Sequence, residues 1–324
     1  MLTKTKLFRL AGYLILAFMF INLSACSNQP STPLKTAMVT WPGYEPVVLA
    51  KDMGFVAENL VINRVISSND VVNALKSDLI DIAFLTLDEV LTLESKTKES
   101  LKILAITDIS NGADALLAQP YIKTIGDLKG KKVAMEKTSI ASYMLASALE
   151  SDSEISIDDI SISYLGSEKH FEIFQSKAVD AVVTFEPTKS MLLNQGAINL
   201  LDSSAIKNEI IDLIVIKEKT LKRNPQKVKD FMQGWFKTID YIKANNGEAI
   251  KKLANYENIS IDLYNNATLG LEILTLEDNK HLVCGPSAPI THSISKVQSF
   301  LESRKKIEAA DIDIERLLSN TICQ

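Results

Sequence analysis

The stretch Ser68-Asn-Asp-Val-Val-Asn-Ala-Leu-Lys-Ser-Asp-Leu-Ile-Asp81 has a counterpart further along the chain, Ser167-Glu-Lys-His-Phe-Glu-Ile-Phe-Gln-Ser-Lys-Ala-Val-Asp180. At a constant offset of 99, Ser68 falls on Ser167, Ser77 on Ser176, Ile80 on Val179 and Asp81 on Asp180. Each copy reads as a strand end, an amphipathic helix, a tight turn and the start of another strand. Two such units predict two similar α/β lobes. In open α/β sheets the ligand-facing loops leave the strand ends.

Around this repeat, short β-branched runs alternate with longer amphipathic ones, the pattern of an α/β fold with mainly parallel strands. Strands are predicted at Thr36–Thr40, Leu60–Ile66, Ile80–Leu85 and Ile103–Thr107, and again at Lys132–Met135, Ile160–Leu165 and Val179–Thr184. Helical patterns fall at Pro46–Met53, Val71–Leu75 and Asp88–Leu93, then at Ile140–Leu149, Lys169–Gln175 and Thr188–Leu193. From Asn224 onward the pattern is almost purely helical, beginning with Pro225–Ala244.

The N-terminus addresses the compartment. Lys4, Lys6 and Arg9 precede an uncharged apolar run, Leu10 to Leu23, that ends in Leu23-Ser24-Ala25-Cys26. A basic head, a short apolar stretch and a small-residue exit describe a signal peptide. The run is shorter than the ~20 residues a membrane span needs. The Leu-Ser-Ala-Cys ending resembles a bacterial lipobox, which implies residues 1–25 as signal peptide, lipidation of Cys26, and a polar tether over 26–34. The expected location is the periplasm or outer cell surface, anchored through lipid.

Of 35 basic residues three lie in this leader, so 32 remain against 40 acidic, a net charge of −8. With no basic tract left, nucleic acid is not an expected partner. A body of roughly 290 residues is more than one core usually spans, so two domains are expected. Cys284 and Cys323 stand too far apart for a local metal motif. In an oxidising compartment they can pair, and two unrelated buried thiols are the alternative.

Five strings carry a family resemblance in their order: T-W-P-G-Y-E-P-V-V-L-A-K-D-M-G-F, S-D-L-I-D-I-A-F-L-T-L-D-E, D-I-S-N-G-A-D-A-L-L-A, I-G-D-L-K-G-K-K-V-A-M-E and D-A-V-V-T-F-E-P. Over about Lys35 to Asp240 the chain resembles the periplasmic binding proteins for taurine, nitrate, aliphatic sulfonates and thiamine-precursor pyrimidines. The resemblance implies a type II two-lobed fold, α/β in both lobes, with two crossing strands and a hinged closure on ligand. The crossings are expected near Ala115–Pro120 and Ile211–Ile216. Lobe 1 would comprise 35–117 with 217–324, and lobe 2 residues 118–216. The implied function is a monomeric solute-binding lipoprotein that captures a small molecule and delivers it to an ABC permease. A protein that reports ligand to a membrane sensor would carry the same sequence signs.

In such a fold the loop Trp41-Pro42-Gly43-Tyr44 meets the cleft, where an indole and a phenol suit a planar or cationic ligand. Ser68 and Asn69 stand at the next strand end, and Thr86, Thr138 and Ser139 stand at helix N-termini; ligand contact and plain capping both explain them. Asp108, Asp114, Phe185, Glu186 and Asp212 fall at strand ends or crossings. Arginine in the body is confined to Arg64, Arg223, Arg304 and Arg316. An anion clamp usually uses Arg forks, so the carboxylates and aromatics lean towards an amine- or pyrimidine-like ligand, away from sulfonate or nitrate.

Catalysis finds little support. His170, His281 and His292 are far apart and form no zinc pair. There is no G-x-S-x-G elbow, dinucleotide loop or P-loop, and no cofactor or metal is expected. Enzymes of similar fold that make a thiamine pyrimidine use a histidine and a cysteine-rich motif, and that motif is missing.

Overall fold

The sequence repeat is present as two equivalent strand–helix–strand units. The computed structural model describes residues 32–97, 100–152, 154–285, 287–308 and 312–323; the leader, Cys26 and most of the tether lie outside them. The strands are β1 (Lys35–Met38), β2 (Val61–Arg64), β3 (Ile82–Thr86), β4 (Leu101–Ser110), β5 (Asp114–Ala118) and β6 (Lys132–Met135). They continue as β7 (Ser161–Tyr164), β8 (Ala181–Phe185), β9 (Ile198–Asp202), β10 (Ile211–Lys217) and β11 (Leu271–Ile273). Within the repeat, the turn residues Asp78 and Lys177 both adopt a left-handed φ of 56°. The closing aspartates do the same work in both copies. Asp81 accepts the Lys35 N–H at 3.0 Å and Asp180 the Lys132 N–H at 2.7 Å, each locking the strand that follows it to the neighbouring strand, β1 or β6.

The two sheets are ordered β11-β4-β10-β3-β1-β2 and β7-β6-β8-β5-β9. In the first, β2-β1-β3 is a parallel group; in the second, β7-β6-β8 is its equivalent. Against each group runs an antiparallel strand, β10 beside β3 and β5 beside β8. The sheets are therefore mixed, where the sequence pattern predicts mainly parallel ones. The reason is topological: the chain enters each lobe through a strand that opposes the parallel group.

Sheet membership also moves the crossings upstream of their expected places. β4 ends at Ser110 in the six-stranded sheet and β5 begins at Asp114 in the five-stranded one, so the first crossing is 111–113. The second is 203–210, which puts β10 with the first sheet and not with 118–216. All seven residues of β10 are buried between its two neighbours, Ile211 and the apolar run Leu213–Ile216 together with Asp212 and Lys217. The crossings are clasped together. Ser110 Oγ and Ser203 Oγ lie 2.7 Å apart, and the Gly112 N–H donates to Ser203 Oγ at 2.6 Å. Gly270 presses on this clasp, since a Cβ there would stand 2.6 Å from the Ala113 nitrogen.

Two strands escape the sequence pattern. β9 is an edge strand, and β11 is three residues long within the helical C-terminal region; neither offers enough periods to read. One continuous core covers the first sheet and includes Trp235 of the helix Pro225–Ala244. The second sheet has a separate apolar cluster on each face. Among the described residues no helix is long and apolar enough to cross a membrane.

Cys284 and Cys323 are joined in a disulfide, with Cα atoms 5.7 Å apart. It ties the C-terminal segment to the body, where the Ser319 N–H donates to Ile103 O of β4 at 3.1 Å. Closing a loop of 39 residues restricts the unfolded chain. Cys284→Ser is expected to lower stability by roughly 2–4 kcal/mol, measured as the urea midpoint without reductant. Reductant should lower the wild-type midpoint by a similar amount. A midpoint that ignores both changes would mean that the bridge contributes nothing.

Candidate functional site

Loops from the C-terminal ends of equivalent strands meet between the two sheets. From the first lobe come Val39 after β1, Ser68 after β2 and Thr86 at the end of β3; from the second come Glu136 after β6, Ser167 after β7 and Phe185 at the end of β8. Together with Trp41, Tyr44, Phe84, Glu89, Asp114, Ile140, Ile210 and Asp212 they line a cavity with about 540 Å³ of empty space. Much of that space is open to solvent, and only a small part of it is enclosed.

The aromatic loop supplies one wall. The Tyr44 N–H donates to Trp41 O at 2.9 Å, closing a turn. Trp41 meets Phe185 of the other lobe edge-on, with centroids 5.9 Å apart, and Tyr44 meets Phe84 at 5.2 Å. The polar tips of both rings are taken by carboxylates. Trp41 Nε1 donates to Asp108 at 3.2 and 3.3 Å, and the Tyr44 hydroxyl donates to Asp212. Gly43 is required beneath the loop, because a Cβ there would fall 1.9 Å from Asp108 Oδ2.

The other feature is buried negative charge. Burial pushes Asp108 up to about 6 and Asp114 to about 7, and in Asp114 the charges of Asp108 and Glu186 add to it. Asp212 rises well above the usual carboxylate range through burial and the charge of Asp108. Glu89 is pushed up to about 7 by burial and the charge of Asp88. Each shift has the same physical cause: a carboxylate out of water prefers its neutral form unless a cation is near. Among the described residues that line the cavity there is no lysine or arginine. Arg64 is spent elsewhere, in a bidentate pair with the buried Glu45. No group of three or more His, Cys, Asp or Glu among the described residues is placed to hold a metal ion.

The structure places the expected site residues differently. Trp41, Tyr44, Ser68, Thr86, Asp114, Phe185 and Asp212 line the cavity. Asp108 lies behind the aromatic loop and positions it. Thr138 caps the helix Ser139–Glu150 and lines a smaller adjoining cavity, which Ser139 does not. Asn69 is exposed on the helix Ser68–Lys76, away from the lining. Glu186 is turned into its own lobe, where it accepts from the Ser190 N–H and Oγ at 3.0 Å each and pairs with Lys189 at 3.4 Å. Sequence reasoning missed Glu89 and Glu136. Glu89 is hidden in the sequence as the third helical residue of a capping box, its carboxylate accepting the Thr86 N–H at 3.1 Å. Glu136 is the positional equivalent of Val39, each following the middle strand of its parallel group, so the repeat could have found the place though not the residue.

The family model described as NMT1/THI5 like matches residues 41–249, most of both lobes and the whole cavity lining except Val39. The chain belongs to the NMT1/THI5-like family. Its members' fold recurs in solved structures. The alkanesulfonate-binding protein SsuA from Xanthomonas axonopodis pv. citri, bound to MOPS, superposes with a TM-score of 0.73 at 16% identity, covering 89% of this chain and 98% of that one. The periplasmic aliphatic sulphonate binding protein SsuA from Escherichia coli gives 0.69 at 20% identity, covering 90% and 100%. A candidate aliphatic sulfonates-binding protein of Escherichia coli (strain K12) is 35% identical over 88 residues, and that match spans 27% of each chain. The desulfurization enzyme DszB shares the fold too, with a TM-score of 0.68 at 12% identity over 90% of this chain and 97% of that one. The fold of this NMT1/THI5-like protein is that of periplasmic binding proteins, and it hosts both capture and catalysis.

Neither His170 nor a cysteine among the described residues lines the main cavity. His170 lines only the adjoining cavity, bonded to Thr184 Oγ1 at 3.1 Å and Leu165 O at 3.3 Å, and burial lowers it to about 4. The cysteines among the described residues are both in the disulfide.

The pH dependence of stability follows from these shifts. Carboxyls raised by folding stabilise the native state below their unfolded values, and that contribution is lost as pH rises through 6 to 7. His170, lowered by folding, works the other way and loses its contribution as pH falls from about 6.5 towards 4. The three raised carboxyls outweigh the one lowered histidine, so the melting midpoint of the ligand-free protein is expected to fall from about pH 5 to pH 8. A midpoint that keeps rising to pH 8 would contradict the buried acidic cleft.

Proposed function

We propose that this protein is an extracytoplasmic solute-binding lipoprotein of an ABC importer, lipidated at Cys26, and that its ligand is a small organic molecule with an amine- or pyrimidine-like cationic group. The observation that supports the ligand class is the make-up of the cavity: aromatic rings from both lobes and the carboxylates Glu89, Asp114, Glu136 and Asp212, without a lysine or arginine among the lining residues. Rings and carboxylates attract cations, and desolvation strengthens both effects. Sulfonate binding in the named relatives is the competing expectation. A sulfonate is an anion at all working pH values, and in this cavity it would meet four carboxyls. The importer role is supported by the family and by neighbours that are periplasmic binding proteins.

The binding cycle needs no chemistry. Trp41 and Phe185 come from opposite lobes, so a ligand that touches both favours the closed state by its differential affinity. The crossings 111–113 and 203–210 are where such closure would bend.

A thermal-shift screen of residues 27–324 against amines, aminopyrimidines, sulfonates and nitrate tests this reading directly. Ligand at a hundredfold excess over Kd stabilises by about 2.7 kcal/mol. A shift with amines or aminopyrimidines is expected, and one with sulfonate alone would overturn the ligand class. With the ligand in hand, Trp41→Ala should weaken binding at least tenfold; unchanged affinity would make Trp41 a packing residue. Cation binding favours ionised carboxyls, so affinity should fall as pH drops from 7.5 to 5.5, read by calorimetry.

A further inference from the structure

Two glutamates outside the sequence-predicted site face one another across the cavity. Glu89 belongs to the helix Leu87–Lys96 that follows β3, in the first lobe; Glu136 follows β6, in the second. Both line the same space. Their anchoring is symmetric. Ser68 hydrogen-bonds Glu89, and the Ser167 N–H donates to Glu136 Oε1 at 3.1 Å. Ser68 and Ser167 are partners in the sequence repeat, so equivalent serines anchor the two glutamates, which themselves follow non-equivalent strands, β3 and β6.

We propose that Glu89 and Glu136 form a charge gate: the ligand's cationic group sits between them, and like-charge repulsion holds the lobes apart until a cation neutralises the pair. The inference rests on the cationic-ligand reading above and adds where the charge lies and why closure depends on it. Three observations carry it. First, neither carboxylate is free to swing away, since Glu89 also accepts the Thr86 N–H that caps its helix. Second, lysines close to the pair in sequence or fold are committed to other partners. Lys189 pairs with Glu186 at 3.4 Å, and Lys137, next to Glu136, stacks over Tyr164 at 5.7 Å. Third, the two groups sense each other: burial raises Glu136, and the charges of Glu89 and Glu168 add to the rise.

The neighbouring acids do not serve the same purpose. Asp212 already accepts the Tyr44 hydroxyl, and Asp108 holds the Trp41 indole. Asp114 lies at the start of β5, beside the hinge clasp. The geometry thus favours a ligand whose positive charge is carried by a protonated amine or amidine-like group, able to donate to a carboxylate on either side. A neutral analogue of the same shape would fill the aromatic wall without relieving the repulsion.

The test uses Glu89→Gln, Glu136→Gln and the double variant, with benzylamine, benzyl alcohol and benzenesulfonate as probes. Glutamine keeps the hydrogen bonds to Thr86 and Ser167, and melting curves verify folding. Small-angle scattering of the ligand-free proteins at pH 8 should show each variant more compact than wild type. Benzylamine affinity should fall at least tenfold in each single variant, and benzyl alcohol affinity should stay within twofold. Unaltered compactness with wild-type benzylamine affinity in both variants overturns the gate while leaving the cationic-ligand reading standing. Wild-type protein that binds benzenesulfonate and not benzylamine overturns both.

Discussion

The aromatic wall of the cleft depends on two aspartates that sit side by side on neighbouring strands. Asp108 of β4 and Asp212 of β10 are direct cross-strand partners, both buried. Like charges in that arrangement repel, and burial makes each ionised form costly. The indole of Trp41 and the phenol of Tyr44 offset part of that cost by donating into the pair. The acids in turn hold the loop Trp41–Tyr44 at the cavity. Neither half of the arrangement is stable alone: the rings would lose their buried partners, and the carboxyls would lose their donors.

This pair also links the cleft to the hinge. β4 and β10 are the strands that lead out of and back into the first lobe. The clasp of Ser110 with Ser203 begins two residues beyond Asp108, and the Ser110 N–H bonds Ile210 two residues before Asp212. The aspartate pair therefore lies within two residues of Ser110 and Ile210, beside both crossings.

The sulfonate-binding neighbours show how far a shared fold leaves ligand choice open. At 16–20% identity, SsuA proteins match nearly the whole chain in backbone. The side chains at the strand ends are free to vary on a shared backbone, and in this cavity they include four carboxylates and four aromatic rings. Fold and function separate at this boundary. The sheets position the loops; the loops decide which charge is welcome.

Much of this was legible in the chain before any coordinates. The offset repeat identified two α/β units because its signal is local: Asp81 and Asp180 each bind a neighbouring strand by the same two-point contact. The placing of Trp41, Tyr44 and Asp212 at the cavity was readable, because strand ends and turn residues have local signatures. Glu89 was masked by its own capping box, and Glu186 looked equivalent to Asp212 until its helix was seen to absorb it. The direction of β5 and β10, the exact place of the crossings and the facing of Glu89 with Glu136 depend on which strands become neighbours. That is set by long-range packing between segments a hundred residues apart, and no local pattern encodes it. The sequence by itself determined the two units, their strand–helix order and the acidic, arginine-poor character of the site; tertiary structure alone decided which of those acids share one cavity.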